Sequence, residues 1–267
     1  MTLQISSRNP GIEKLLIIRC NFALSVSSQN LQNYFPWLRT EMSFTPPTAE
    51  ETACVENIRS KFIEEFPDFD TNPNFSNTTI LRFYRGHKGK EDSALAGLKR
   101  YASWRVEEDV DNIDSRKEEF QTEIDKNKVV MGNFDLNGRP ANFIYAHRHN
   151  ANDRDIAQVR KLTIWALECL RKAAKPEEER FVIAFDLSRF TLQCMDYEAV
   201  KQLIQILQSH YPDTLESLYV LDSPFIFSAC WAVIKMWIDP VTAGKIQFIR
   251  RSELTKYFDP ASIPPKD

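Results

Sequence analysis

The chain has 267 residues, 43% of them hydrophobic, enough for one large domain or two small ones with a real core. A formal net charge of -3 at pH 7 offers nucleic acid no general attraction, so any basic patch must be local. Five scattered cysteines (Cys20, Cys54, Cys169, Cys194, Cys230) without a CxxC pair predict reduced thiols, a cytoplasmic protein and no zinc site.

The first forty residues differ from the rest. Before Glu41 the only acid is Glu13, against Arg8, Lys14, Arg19 and Arg39, with several serines. That composition fits a transit peptide, a disordered extension over 1–45, or a stretch upstream of a start at Met42. Pro46 and Pro47 close it. Thr48, with Glu51 three residues on, predicts a capping box, and Val55, Ile58, Phe62 and Phe66 mark the buried face of the helix that follows. Asn77 is the expected cap of a second helix over 78–88. A third opens at Glu91, with Leu95, Leu98, Tyr101 and Ala102 inward and Lys99, Arg100 and Arg105 outward. Residues 48–125 therefore read as a helical subdomain.

From residue 126 to 267 the periodicity changes. Strands are expected at 129–134 and 142–145, joined by an Asp135-Leu136-Asn137-Gly138 turn. A helix follows over 155–174, with Ile156, Val159, Leu162, Ala166 and Leu170 on one side. Phe181–Leu187 is a continuous apolar run of the kind buried on both faces of a parallel sheet. Tyr197, Val200, Leu203, Ile204 and Leu207 stripe the next helix. Strands at 218–221 and 246–249 complete an α/β pattern with right-handed crossovers and a mostly parallel sheet.

Residues 225–238, FIFSACWAVIKMWI, are apolar around nearly the whole circumference of a helix. A helix without a polar face must be buried or meet lipid. At about 1.5 Å per residue it reaches roughly 21 Å, short of the ~30 Å bilayer core, so it reads as a mobile or interfacial helix rather than a span.

Catalytic patterns are missing. Ser188 and Ser223 lack the glycines of a nucleophile elbow, and no phosphate-binding glycine loop is present. His147 and His149, two apart, fit a solvated strand end better than a metal site with no third ligand. Asp186 and Asp222 end predicted strands and are expected to cap the turns that follow. Neither an enzyme nor a cofactor is expected.

The stretch 210–249, HYPDTLESLYVLDSPFIFSACWAVIKMWIDPVTAGKIQFI, resembles the core of the CRAL-TRIO lipid-binding domain family. The resemblance extends to FDLSRF at 185–190 and to ILRFYRGHKGKEDSALAGLKRYASWR at 80–105, covering roughly residues 48–265. It implies a hydrophobic cavity floored by the sheet and holding one lipid as cargo. The gate would be an apolar helix carrying Phe225, Ile226, Phe227, Trp231, Ile234, Trp237 and Ile238. It also implies phosphatidylinositol head-group contacts at His87, Lys88, Asp213, Thr242 and Lys245. His87 replaces a common Arg and Asp213 a longer Glu. Hydroxyl side chains that hold phosphatidylcholine in the family are replaced on the cavity wall by Phe181 and Ile183, which favours a more apolar second ligand. The resemblance implies that the family usually continues past the position of Asp267, so either the sequence is a fragment or the final packing segment is missing.

The implied function is non-enzymatic transfer of one lipid, most simply phosphatidylinositol, at a transient membrane surface, with a lipid kinase as a possible recipient. A lipid-sensing adaptor, or a carrier of a retinoid or tocopherol, are the alternatives.

Overall fold

The computed structural model describes residues 45–266, and the chain from Pro46 onward makes one compact unit. The expectations for residues 1–44 lie outside the described residues. Helix α1 (Ala49–Glu65) starts at the expected box. Thr48 Oγ1 accepts from Glu51 N at 3.1 Å, and Glu51 Oε2 accepts from Thr48 N at 2.9 Å. Its buried face feeds an aromatic cluster in which Phe62 stacks on Phe66 and Phe75, with centroids 5.0 and 5.3 Å apart.

Helix α2 (Asn77–Gly86) is capped by Ser76, whose Oγ accepts from Thr79 N. Asn77 is instead its first residue and accepts a hydrogen bond from Arg59 Nε at 2.7 Å. Helix α3 (Glu91–Glu107) corrects a second expectation. Arg105 is not outward but 2% exposed, because it has a buried acid to meet. A 3-10 stretch (Val110–Phe120) and the short helix α4 (Gln121–Asp125) lead into the sheet.

The five strands are β1 (Val129–Phe134), β2 (Pro140–Tyr145), β3 (Phe181–Asp186), β4 (Leu215–Leu221) and β5 (Ile246–Ile249). They lie side by side in chain order, β1 antiparallel to β2 and the rest parallel. The β1–β2 turn forms as expected: Asp135 Oδ1 accepts from Asn137 N and Arg139 N, and Gly138 takes a φ of 76°. Three longer helices pack around the sheet: α5 (Ile156–Ala173), α6 (Tyr197–His210) and α7 (Phe227–Ile234), followed by the one-turn α8 (Pro240–Gly244).

The period of two sorts the sheet into two faces. Ala141, Phe143, Val182, Ala184, Tyr219 and Leu221 point to one side, where Leu254 and Phe258 of the C-terminal segment cover them. Asn142, Ile144, Ile183, Phe185, Leu218 and Val220 point to the other, between α5 and α6. Asp186 caps the turn at Ser188 N, as expected, and also holds Arg251 at 2.6 Å. Asp222 reaches across to the backbone N of Arg251 instead of its own turn.

A buried ionic knot joins the helical segment to the sheet. Glu168 on α5, 1% exposed, receives Arg105 Nη1 and Nη2 at 3.1 Å each, Arg171 Nη2 at 2.9 Å and the Tyr211 hydroxyl at 2.7 Å. Burial pushes its carboxyl up, but Arg105 and Arg171 overcome that and hold it at about 2. The outward reading of Arg105 failed because Glu168 lies 63 residues away in sequence.

Candidate functional site

The second face of the sheet floors a cavity of about 680 Å³. One wall is α5, through Val159, Leu162, Ala166 and Leu170. The other is α6, whose stripe of Val200, Leu203, Ile204 and Leu207 faces the cavity, so those side chains are only half-buried. Tyr197, expected in that stripe, is 40% exposed. Phe227, Trp231, Ile234 and Ile238 close the space from above.

The closing element is shorter than the apolar run that announced it. Its α-helix covers 227–234 and tightens to a 3-10 turn over 235–237. Phe225 and Ile226 precede the helix and face outward, Phe225 being 93% exposed. Trp237 does not line the cavity; it packs edge-on against Tyr197, 6.0 Å between centroids. Met236 is 75% exposed. The segment therefore presents apolar side chains to the cavity along the helix and to the exterior at its two ends, with Ser228, Ala229, Ala232 and Lys235 exposed between them. Among the described residues no helix is long and apolar enough to cross a membrane.

One end of the cavity gathers four of the five expected head-group residues: Lys88, Asp213, Thr242 and Lys245. Lys245 Nζ donates to Leu215 O at 2.6 Å and stands 3.6 Å from Asp213. Asp213 also pairs with Arg180 at 3.2 Å. Thr242 Oγ1 donates to Asp239 Oδ2 at 2.6 Å, and Asp239 caps α8. Local backbone brings these groups together. Lys88 and Asp213 sit in the left-handed region at φ 56° and 53°, uncommon for non-glycine residues. Gly86 lets the end of α2 approach Pro212, since a Cβ there would stand 2.6 Å from Pro212 Cβ.

His87, the fifth candidate, is not in this group. It caps α2 with its ring turned toward α3, where a Cβ on Gly97 would be 2.7 Å from Cε1, and its Nδ1 lies 2.8 Å from Phe83 O. Arg85 lines the cavity instead, paired with Glu51 at 2.8 Å. Of the two expected wall residues, Ile183 faces the cavity. Phe181, at the base of β3, is packed in the core with Tyr211 and Leu215.

The opposite end holds polar groups that the sequence reading missed. Lys128, 5% exposed, pairs with Glu123 and with His149 Nδ1 at 2.9 Å; His149 Nε2 meets Asp196 Oδ2 at 3.1 Å. Lys128, His149 and Asp196 all line the cavity, so His149 is no solvated strand end. An ammonium only donates and a carboxylate only accepts, so His149 is the neutral Nε2–H tautomer. Burial and the Lys128 charge lower its pKa to match. These residues come from three separate segments with no motif spacing. Among the described residues no cluster of His, Cys, Asp or Glu fits a metal ion.

A CRAL/TRIO domain model matches residues 124–266. A CRAL-TRIO domain-containing protein of Schizosaccharomyces pombe is 31% identical over 193 residues, 69% of this chain and 43% of that protein. The phosphatidylinositol transfer protein CSR1 of Eremothecium gossypii is 30% identical over 201 residues, 72% of this chain and 46% of that protein. The chain thus spans less than half the length of these two relatives. The crystal structure of Sfh5 shares the fold, with a TM-score of 0.63 at 15% identity over 81% of this chain and 86% of that one. With the family model matching more than half of its length, this chain belongs to the CRAL/TRIO domain family.

Proposed function

We propose that the protein is a non-catalytic carrier that takes one lipid, phosphatidylinositol, into the cavity and exchanges it at membrane surfaces. The observation that carries the reading is an apolar cavity, covered by Phe227, Trp231, Ile234 and Ile238, with two lysines, an aspartate and a threonine at one end. The name of the Eremothecium gossypii relative supports the same cargo.

The chemistry is that of sequestration. Each buried CH₂ contributes about 0.8 kcal/mol, so an acyl chain leaves a bilayer only for an equally apolar container. Lys88 and Lys245 supply positive charge for a phosphate, while Asp213 and Thr242 are placed to hydrogen-bond inositol hydroxyls. Ile183 adds an apolar side chain to the floor, which disfavours a choline head group inside.

The test is to incubate the purified chain with mixed liposomes, re-isolate it and identify the retained lipid by mass spectrometry, alongside transfer between donor and acceptor vesicles. Retained phosphatidylinositol with measurable transfer is the expected result. Recovery of no phospholipid would refute the carrier reading, whereas retention without transfer would point to a lipid-sensing adaptor.

A further inference from the structure

Resting on the cavity being a lipid container, we infer that its end opposite Lys88 and Lys245 is a second polar subsite, in which Lys128 donates to a neutral oxygen of an alternative cargo, an uncharged lipid bearing a hydroxyl or carbonyl. Strand direction separates the two ends. Asp213 and Lys245 precede β4 and β5, whereas Lys128 O accepts from the N of Tyr145, the last residue of β2. A six-residue strand at ~3.3 Å per residue spans roughly 20 Å, which sets the spacing of the ends.

Lys128 is a donor held ready in the wall. Two of its N–H groups are directed to Glu123 and His149, and the third has no acceptor among the described residues. Burial lowers its pKa even though Glu123 opposes the shift. A buried ammonium with an unused N–H gains from any oxygen that reaches it.

The surroundings select the kind of oxygen. Glu123 pairs with both Lys128 and Lys126, and Asp196 stands behind His149, paired with Arg154, which also holds Glu198 at 2.6 Å; the three cations of this cluster are thus already matched by three carboxylates. An added carboxylate would face two existing ones. A quaternary ammonium would face Lys128 and offers it no acceptor. A hydroxyl or carbonyl meets neither penalty. The cavity therefore reads phosphate at one end and an uncharged oxygen at the other.

The test uses vesicles of phosphatidylcholine and phosphatidylinositol carrying equal amounts of oleyl alcohol, 1-octadecene and oleate, with the full chain re-isolated and its lipids quantified by mass spectrometry. Wild type should enrich the alcohol over the alkene at least about tenfold, the ratio one hydrogen bond to a charged group supports, and should not prefer oleate. Lys128→Met should bring the alcohol-to-alkene ratio within about twofold of the vesicles while phosphatidylinositol capture persists. Lys245→Ala should do the reverse. A wild-type ratio matching the vesicles, a preference for oleate, or an enrichment that survives Lys128→Met overturns the subsite. The wild-type arm decides alone if Lys128→Met fails to fold. Loss of phosphatidylinositol capture in wild type would instead strike the carrier reading.

Discussion

Replacing Lys245 with alanine separates head-group recognition from fold stability. Its Nζ donates to Leu215 O and approaches Asp213 within 3.6 Å, and Asp213 keeps Arg180 when the lysine is gone. The lost contacts are one neutral-acceptor hydrogen bond and one partly exposed ion pair, each on the order of 1 kcal/mol or less. Loss of fold stability should therefore stay below about 2 kcal/mol. A charge-assisted hydrogen bond to a phosphate contributes about 1.5–3 kcal/mol, so affinity for phosphatidylinositol should fall roughly 10- to 150-fold.

The assay is partition of labelled phosphatidylinositol between vesicles and protein, with thermal unfolding in parallel and Lys201→Ala, on the exposed side of α6, as control. A Lys245→Ala protein that folds normally and binds phosphatidylinositol within twofold of wild type would refute the head-group assignment.

Three further outcomes are expected. Glu168→Gln removes the carboxylate that Arg105 and Arg171 share and should cost about 3–5 kcal/mol, lowering Tm by roughly 6–20 °C; a shift under about 2 °C would contradict the buried knot. His210 stacks on Trp104 at 4.0 Å, and burial, reinforced by Arg160 and Arg100, depresses its pKa from 6.5 to about 4. Because the unfolded chain takes up this proton first, stability present above pH 6.5 is lost as pH falls toward 4. His210→Phe should flatten urea-derived stability across that window, and an unchanged slope would dismiss the assignment. Phe225→Ser with Met236→Ser should weaken vesicle binding several-fold in sedimentation while leaving Tm within about 2 °C, since both side chains already face the exterior.

The layered architecture was legible because period-2 and period-3.6 patterns report which face is apolar. The box at Thr48, the Asp135–Gly138 turn and the position of β5 needed only neighbouring residues. What could not be read locally was pairing across the fold. Arg105 looks like a surface residue until Glu168 is placed opposite it, and His149 looks solvated until Lys128 and Asp196 converge on it. His87 and Lys88 are neighbours in the chain, yet the left-handed backbone at Lys88 sends the two side chains to different places. A motif specifies adjacency, whereas a cavity is lined by direction.

The proposed gating role accounts for the apolar residues on both sides of the segment 225–238. Phe225 and Met236, exposed in water, would each gain about 1.5–3 kcal/mol on burial, so contact with a bilayer favours the outer side by roughly 3–6 kcal/mol. Opening in water would expose Phe227, Cys230 and Ile234, now buried, at a similar or somewhat larger cost. At a bilayer those inner side chains pass from one apolar medium to another, and that cost largely disappears. Eight α-helical residues with no side-chain cap are marginal alone, so packing, rather than intrinsic helix stability, holds the segment in place. In the proposed carrier, a wholly polar outer face would hold the segment shut at a membrane and a polar inner face would expel a lipid, so exposed Phe225 and Met236 serve the one state and buried Phe227, Cys230 and Ile234 the other.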